Sequence, residues 1–514
     1  MKAWWLVAAL SVANLVPAFA ADTPAAQTDR GAWWIRDVTV IPVDSDDVLA
    51  HRDVLVRDGR VAAMSEHGKD RPARDATVID GNGKFLIPGL VDAHVHIATE
   101  GALRDSKNPV RSGLDPGPDH VYDRRVLLSF LKAGVTGAAN LGGGARSDED
   151  LLSLRDEIAA GRILGPRLYV AKRINGPRAE VASPRPAQVP VSTPAAPTTA
   201  ADGIAAVRAA RERRYDLIKP YQFLNRQTYQ AIVEETRRQG MVSSGHLPEL
   251  GCGVCADRAF AFAHRLDNIA HSEELGRYGR ESNLAPRDID ALADLVAANK
   301  IGVTPTLITL KQIVHMYVQR EVPATPGDWG ALVDPVTRLD WAPAGNNYLS
   351  ARFRNQDGAD TFSAGYDFSR LLTRELWKRG VALTVGTDAP MPGLAFGVSV
   401  HQEMLELREV GLSPLEVLRA ATVNAHRLFD RKGGNGAVRV GERADLVLLD
   451  ADPLADIRNV ARIHGVFVQG RWLPAARIDA LLAQSDEAMR ELARAIETRQ
   501  AEAKAEADRT APTP

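Results

Sequence analysis

Between residues 85 and 390 the chain alternates short apolar, β-branched runs with amphipathic stretches whose apolar positions recur at helical spacing. The short runs predict strands at 85–97, 134–141, 167–171, 215–221, 241–247, 268–272, 302–308 and 382–389. The amphipathic stretches predict helices at 122–133, 148–160, 204–213, 226–239, 286–299, 362–379 and 400–410. Strands alternating with helices build a parallel sheet, and eight such units predict an α/β fold of the (β/α)8 TIM-barrel kind. Two inserts enlarge it. Residues 178–201 are rich in Pro and Ala and read as an extended loop. Residues 311–360 follow the seventh strand, on the side where barrel active sites take their loops.

The flanks carry a different pattern. Short strand-like runs at 33–43, 54–56, 60–65 and 77–80 are separated by turns at Asp58-Gly59 and Gly81-Asn82-Gly83. Runs at 444–449, 465–469 and 472–473 repeat that style after the barrel. Neither set alone has strands enough to stand, so one small β-sandwich built from both flanks is expected. The expected organisation is a signal peptide at 1–20, sandwich parts at 30–85 and 436–480, and the barrel at 86–435. A charged, Ala-rich tail at 481–514 reads as a helix or a frayed end.

Composition narrows the function classes. Among 514 residues, 45% are hydrophobic and 25% charged, an ordinary globular balance. Lys+Arg total 63 against 65 Asp+Glu, so the basic footprint of a nucleic-acid binder is missing. Met1-Lys2, an apolar run at 3–16 and Pro17-Ala18-Phe19-Ala20 have the form of a cleavable secretory signal. The run is short for a membrane span, so an exported protein, periplasmic or secreted, with no stable span after signal removal is expected. Cys252-Gly253-Val254-Cys255 contains both cysteines of the chain. With no second ligand pair for zinc, this CxxC reads as a loop staple or two free thiols.

Six residues fall at the ends of the predicted strands. His94 and His96 are two apart on the first, so both side chains share a face and can reach one ion. Imidazole suits zinc and its neighbours. His246 ends the fifth strand, His271 the sixth and Asp388 the eighth. Lys219 lies in Tyr215-Asp216-Leu217-Ile218-Lys219-Pro220-Tyr221, inside an apolar strand where an ammonium is costly. A lysine neutralised by burial is nucleophilic and can take up carbon dioxide as a carbamate. The bland alternative is a lysine snorkelling to solvent at the strand end.

These motifs carry a resemblance. Ile87-Pro-Gly-Leu-Val-Asp-Ala-His94-Val-His96, Ile218-Lys219, Gly245-His246, Ala270-His271 and Val385-Gly-Thr-Asp388-Ala389 are similar to those of the amidohydrolase superfamily. Within it the chain resembles the imidazolonepropionase-like and prolidase-like group of dipeptidases and carboxypeptidases, from about residue 38 to 473. Ala421-Thr-Val-Asn-Ala425 and Arg443-Ala-Asp-Leu-Val-Leu-Leu-Asp450 are equally typical. The resemblance implies two divalent transition metals, zinc being the expected pair. His94, His96 and Asp388 would hold one and His246 and His271 the other. Lys219, carboxylated by CO2, and a hydroxide would bridge them. Asp388 would act as general base and then acid, and Tyr221 would sit near the substrate carbonyl or carboxylate. The chain departs from many relatives at Ala139-Asn140-Leu141-Gly142 and at Ile174-Asn175-Gly176-Pro177, both of which border the substrate. His401 reads as a residue supporting the site from behind or as structural, not as catalytic. His51, His67, His120, His264, His315, His426 and His464 read as surface or packing residues.

Three functions stay open on this evidence. The first is a binuclear hydrolase of an amide or peptide bond in a dipeptide or N-acyl amino acid. The second is a hydrolase of a cyclic amide or lactone. The third is a binding protein on the same fold without catalysis. The expected partner is a small molecule or short peptide, with no nucleic acid, and assembly into a homo-oligomer stays open.

Overall fold

Fifteen strands divide between two sheets among the described residues. The computed structural model describes residues 31–72, 74–100, 103, 110–111, 114–115, 120–142, 145–177, 196–248, 258–277, 286–343, 345–349, 356–430, 434 and 436–510. The segment 1–20, the pair Cys252 and Cys255, and residues 178–195 of the first insert lie outside them. From the N-terminal flank come β1 (Ala32–Val40), β2 (Leu49–Arg57), β3 (Arg60–Glu66), β4 (Ala76–Asp80) and β5 (Phe85–Pro88). The centre supplies β6 (Leu90–Val95), β7 (Val135–Asn140), β8 (Arg167–Ile174), β9 (Leu217–Pro220), β10 (Val242–Gly245), β11 (Asn268–Ala270) and β12 (Gly302–Thr304). From the C-terminal flank come β13 (Leu446–Leu449), β14 (Ile463–Val468) and β15 (Arg471–Pro474).

The flank strands form one mixed sheet in the order β15-β14-β13-β5-β1-β2-β3, with β4 parallel to β1. Its seam is β13 against β5, where Leu446 faces Pro88 and Leu449 faces Phe85 in antiparallel register. Ile35, Val38, Val54, Leu86, Leu446 and Phe467 pack its buried core. The end of the chain thus completes a sheet that its start began.

The central strands are all parallel, in the order β12-β11-β10-β9-β8-β7-β6. The expected eighth strand closes the ring through single bridges, Leu383 to Val303 and Ala389 to Val95. Ala93 N–H also bonds the Val385 carbonyl at 2.8 Å, and Asp388 N–H the His94 carbonyl at 2.7 Å. A left-handed backbone at Asp388 (φ 56°) interrupts a longer ladder there. Alternation along each strand sorts inside from outside. Ala139, Tyr169, Ala171, Leu217, Val242 and Ala270 pack together in the interior. Among them Asn268 Nδ2 donates to Ser244 and Thr304 hydroxyls at 2.9 Å, and Thr304 meets Thr384 at 2.7 Å. Ile218, Val170 and Ile269 point outward into the core shared with the helices.

The predicted helices form, among them Val121–Lys132, Arg226–Arg238 and Val398–Glu409 within two residues of their expected bounds, while Gln356–Lys378 opens six residues before the expected 362. The 311–360 insert is more ordered than a loop. It contains most of the helix Leu307–Gln319 and the helix Pro335–Trp341, and the next helix opens at Gln356. Leu307, Ile308, Leu310, Ile313, Met316 and Tyr317 bury one side of the first, a helical spacing. The seventh strand stops at Thr304 because Pro305 has no N–H to give and Thr306 turns left-handed (φ 51°). The tail is helical as Asp486–Thr510, docked where Arg125 bonds Ser485 at 2.7 Å and Asp486 at 2.8 Å. No described helix is long and apolar enough to cross a membrane.

Candidate metal centre at the barrel mouth

At the mouth, all seven sequence-selected residues come together. His94 Nε2 lies 3.2 Å from His96 Nε2, and Asp388 Oδ1 lies 3.3 Å from the first and 3.1 Å from the second. Lys219 Nζ stands 3.3 Å from His94 Nε2. The His271 ring packs on His94 with centroids 4.4 Å apart, and His246 on His271 at 5.2 Å. Tyr221, the seventh, packs its ring on His246 at 4.3 Å, with Lys219 Nζ 4.9 Å from its centroid. His94, His96 and Asp388 make a closed ligand triple; His246 and His271 stand beside it without completing a second triple among the described residues.

Tautomers follow from the outer partners of the rings. His96 Nδ1 lies 2.6 Å from the Gly142 carbonyl, which can only accept, so Nδ1 carries the proton and Nε2 keeps its lone pair. Thr306 gives its hydroxyl hydrogen to the Pro305 carbonyl, leaving its oxygen to accept from His271 Nδ1 at 2.8 Å. His271 Nε2 then keeps its lone pair. The buried Glu274 carboxylate lies 3.3 Å from His246 Nδ1. Such partners on the far nitrogen are what orient metal-binding imidazoles.

Electrostatics point the same way. Burial, reinforced by Lys219, holds His94 well below the usual imidazole range. Burial and Lys219 also lower His96, against the Asp388 hydrogen bond that would raise it. Burial pushes the Lys219 ammonium down to about 7. For Asp388, burial acts upward, but the His96 hydrogen bond and the charges of His271, His96 and Lys219 outweigh it, and the carboxyl ends below its ordinary value. Neutral imidazoles and an anionic carboxylate are the ligand forms a cation needs.

Several contributors escaped the sequence reading. Asp92, buried beneath His94, accepts from Thr387 N–H at 3.0 Å and its hydroxyl at 2.7 Å, tying the first strand to the closing segment. Glu274, Thr306 and the Gly142 carbonyl carry no motif; only their position shows what they do. Arg173 had a signal, since it lies two residues beyond inward-facing Ala171. His401, as expected, is structural: buried, it meets the Ala133 carbonyl at 2.9 Å, and burial lowers it to about 4. The exposed His120 gathers with Glu100 and Asp123, a group explained by capping: Glu100 accepts from Tyr122 N–H and Asp123 from Glu100 N–H.

Residues 369–473, which include Asp388, match the amidohydrolase family profile. The chain carries an amidohydrolase-family domain. Around that domain the likeness extends further. Imidazolonepropionase of Fusobacterium nucleatum subsp. nucleatum is 21% identical over 413 residues, covering 79% of this chain and 86% of that protein. Bottromycin amidohydrolase superposes with a TM-score of 0.64 at 25% identity, covering 91% of this chain and 92% of that one. A Xaa-Pro dipeptidase with bound methionine superposes with a TM-score of 0.63 at 18% identity, over 86% of this chain and 100% of that one. Other curated relatives match this chain over short stretches that span 24%, 13% and 11% of their own lengths.

Proposed function

We propose that this protein is a binuclear metal-dependent hydrolase of an amide or peptide bond in a small substrate, a dipeptide or an N-acyl amino acid. One observation carries the reading. Three donor atoms, His94 Nε2, His96 Nε2 and Asp388 Oδ1, stand 3.1, 3.2 and 3.3 Å apart. A tetrahedral ion with ligand bonds near 2.0–2.1 Å has ligand–ligand edges of about 3.3 Å. The two Nε2 atoms, with Lys219 Nζ 3.3 Å from that of His94, crowd lone pairs that a cation between them would relieve.

The residues fit divalent transition ions, with zinc the first expectation. His94, His96 and Asp388 would hold one, His246 and His271 a second, and Lys219, carboxylated by CO2, would lie between. Ions there would polarise a scissile carbonyl and acidify a water. The remaining work belongs to side chains of the chain itself. Asp388, anionic and bonded to His96, takes a proton from the attacking water and returns it to the leaving nitrogen. Gly142 and Thr306 keep His96 and His271 in the tautomer that leaves Nε2 unprotonated. Tyr221, its ring against His246, would stand near the substrate carbonyl or carboxylate. The secretory form of the first twenty residues supports an exported location, periplasmic or secreted.

The imidazolonepropionase likeness supports a second reading, hydrolysis of a cyclic amide or lactone. The test is elemental analysis of chelator-free protein, followed by a screen of dipeptides, N-acyl amino acids, cyclic amides and lactones. Close to two metal equivalents with linear-amide turnover is the expected result. One equivalent that persists in excess metal and bicarbonate, with turnover of rings alone, would replace the first reading by the second. Full metal loading with no turnover of any class would leave a binding protein.

A further inference from the structure

Arg173 stands at the mouth with no part in the chemistry above. β8 turns Tyr169 and Ala171 into the barrel, and Arg173 lies on the same face one step nearer the rim. In the ladder it is the direct partner of Lys219. Its stem is pinned: a Cβ placed on Gly142 would come within 2.8 Å of Arg173 Cβ, and the Gly142 carbonyl is the one that holds His96. Its guanidinium lies over the Tyr221 ring, 5.4 Å from the centroid. Elsewhere Arg155, on the helix Ala145–Ala159, pairs with Asp216 at 2.8 Å, and Arg443, just before β13, with Asp430 at 2.5 Å. Half-buried Arg173 has no carboxylate within ion-pair distance among the described residues.

A guanidinium stays charged, and a stacked, partly desolvated one presents a planar fork that matches a carboxylate. The carboxylate carbon of an N-acyl amino acid stands two bonds past the scissile nitrogen. An anchor on the strand next to Lys219, about 4.8 Å away, is within that reach. We propose that Arg173, held by Tyr221, binds the free carboxylate of the substrate's leaving amino acid, and so selects N-acyl amino acids and free dipeptides over blocked amides, ring amides and lactones.

This inference rests on the hydrolase reading, and its test separates the two. A panel of N-acetyl-L-amino acids is compared with the matching C-terminal amides on the metal-loaded protein. The natural enzyme should favour acids by about 10–100-fold in kcat/KM, the range one charged hydrogen-bonding partner contributes. Arg173→Gln should bring the acid-over-amide ratio toward one, with the loss falling on KM for the acids, and Arg173→Lys should retain part of the preference. Acids and amides handled equally by the natural protein would overturn the proposal, a result that requires no variant to fold. So would a variant that slows both classes alike. If neither class is hydrolysed, the hydrolase reading fails, and calorimetric titration with the same pairs still decides Arg173. Tighter binding of acid than amide, lost in Arg173→Gln, supports it; equal binding overturns it.

Discussion

Lys219 has its amine buried in β9, 3.3 Å from His94 Nε2, with burial lowering its ammonium to about 7. An amine in that state can be carboxylated; a guanidinium cannot, because it does not lose its proton. Lys219→Arg should therefore abolish activity although it conserves charge, and Lys219→Ala should recover in part with short carboxylic acids that supply bridging oxygens. An Arg variant of full activity would remove the carbamate from the mechanism. Asp388→Asn nearly preserves shape while removing the base. It should lower kcat by about 10²–10⁴, the contribution of general acid–base catalysis. Metal content must be measured with the rate, since the same oxygen closes the ligand triple. With metals bound and kcat unchanged, the proton would have to be carried by another residue.

At the scale of elements, the closing segment and the first strand meet through a glycine. A Cβ on Gly386 would fall on Thr304 Cγ2 and 3.0 Å from His94 Cβ, both inside the barrel. Gly386→Ala should cost about 1–3 kcal/mol in denaturant unfolding, the range of overpacked cores, and weaken metal binding by displacing His94. Wild-type stability with unchanged metal affinity would mean that the mouth yields easily. Away from the site, Glu235 ties the helix Ala200–Glu212 to Arg226–Arg238. It accepts from Arg208 at 2.9 Å, Gln239 at 2.8 Å and Arg238 at 2.7 Å, and these bonds lower its carboxyl to about 2. A depressed carboxyl stabilises the fold above its unfolded pKa, and that contribution is lost as pH falls through about 2. Because Arg208 and Arg238 are 62% and 56% exposed, solvent screening reduces it to about 1–2 kcal/mol. The melting difference between the natural protein and Glu235→Gln should be largest near neutrality and shrink between pH 5 and pH 2. A difference independent of pH would assign the effect to packing.

The whole molecule depends on the two ends of the chain meeting. β13 covers β5, and Leu86, Leu446 and Leu448 are fully buried at that seam. Each such side chain contributes about 1.5–3 kcal/mol by leaving water. A chain ending after residue 443 loses β13, β14 and β15 together and exposes the β5 edge. It should aggregate or melt without cooperativity, as gel filtration and calorimetry would show. A soluble truncated protein that binds metal normally would make the flank sheet an accessory.

Much of this was legible in advance, for a local reason. A pleated strand sends alternate side chains to opposite faces, so Leu217, Lys219 and Tyr221, or His94 and His96, are placed together by sequence spacing alone. The strand–helix alternation and the two half-sheets at the flanks are likewise properties of short windows. Other features needed the closed barrel. Ala270 faces inward, so alternation sends His271 out; a left-handed backbone (φ 72°) and the Thr306 hydroxyl turn it back to His94. The helices within 311–360 follow from burial against neighbours that a window cannot see. Glu274 behind His246, the Gly142 carbonyl behind His96 and Arg173 over Tyr221 are contacts between separate strand–helix units. Sequence by itself determined which donor atoms the protein possesses and which face of each strand bears most of them. Only the tertiary structure decided that they meet at one point, because convergence depends on barrel closure and on backbone turns imposed by residues distant in the chain.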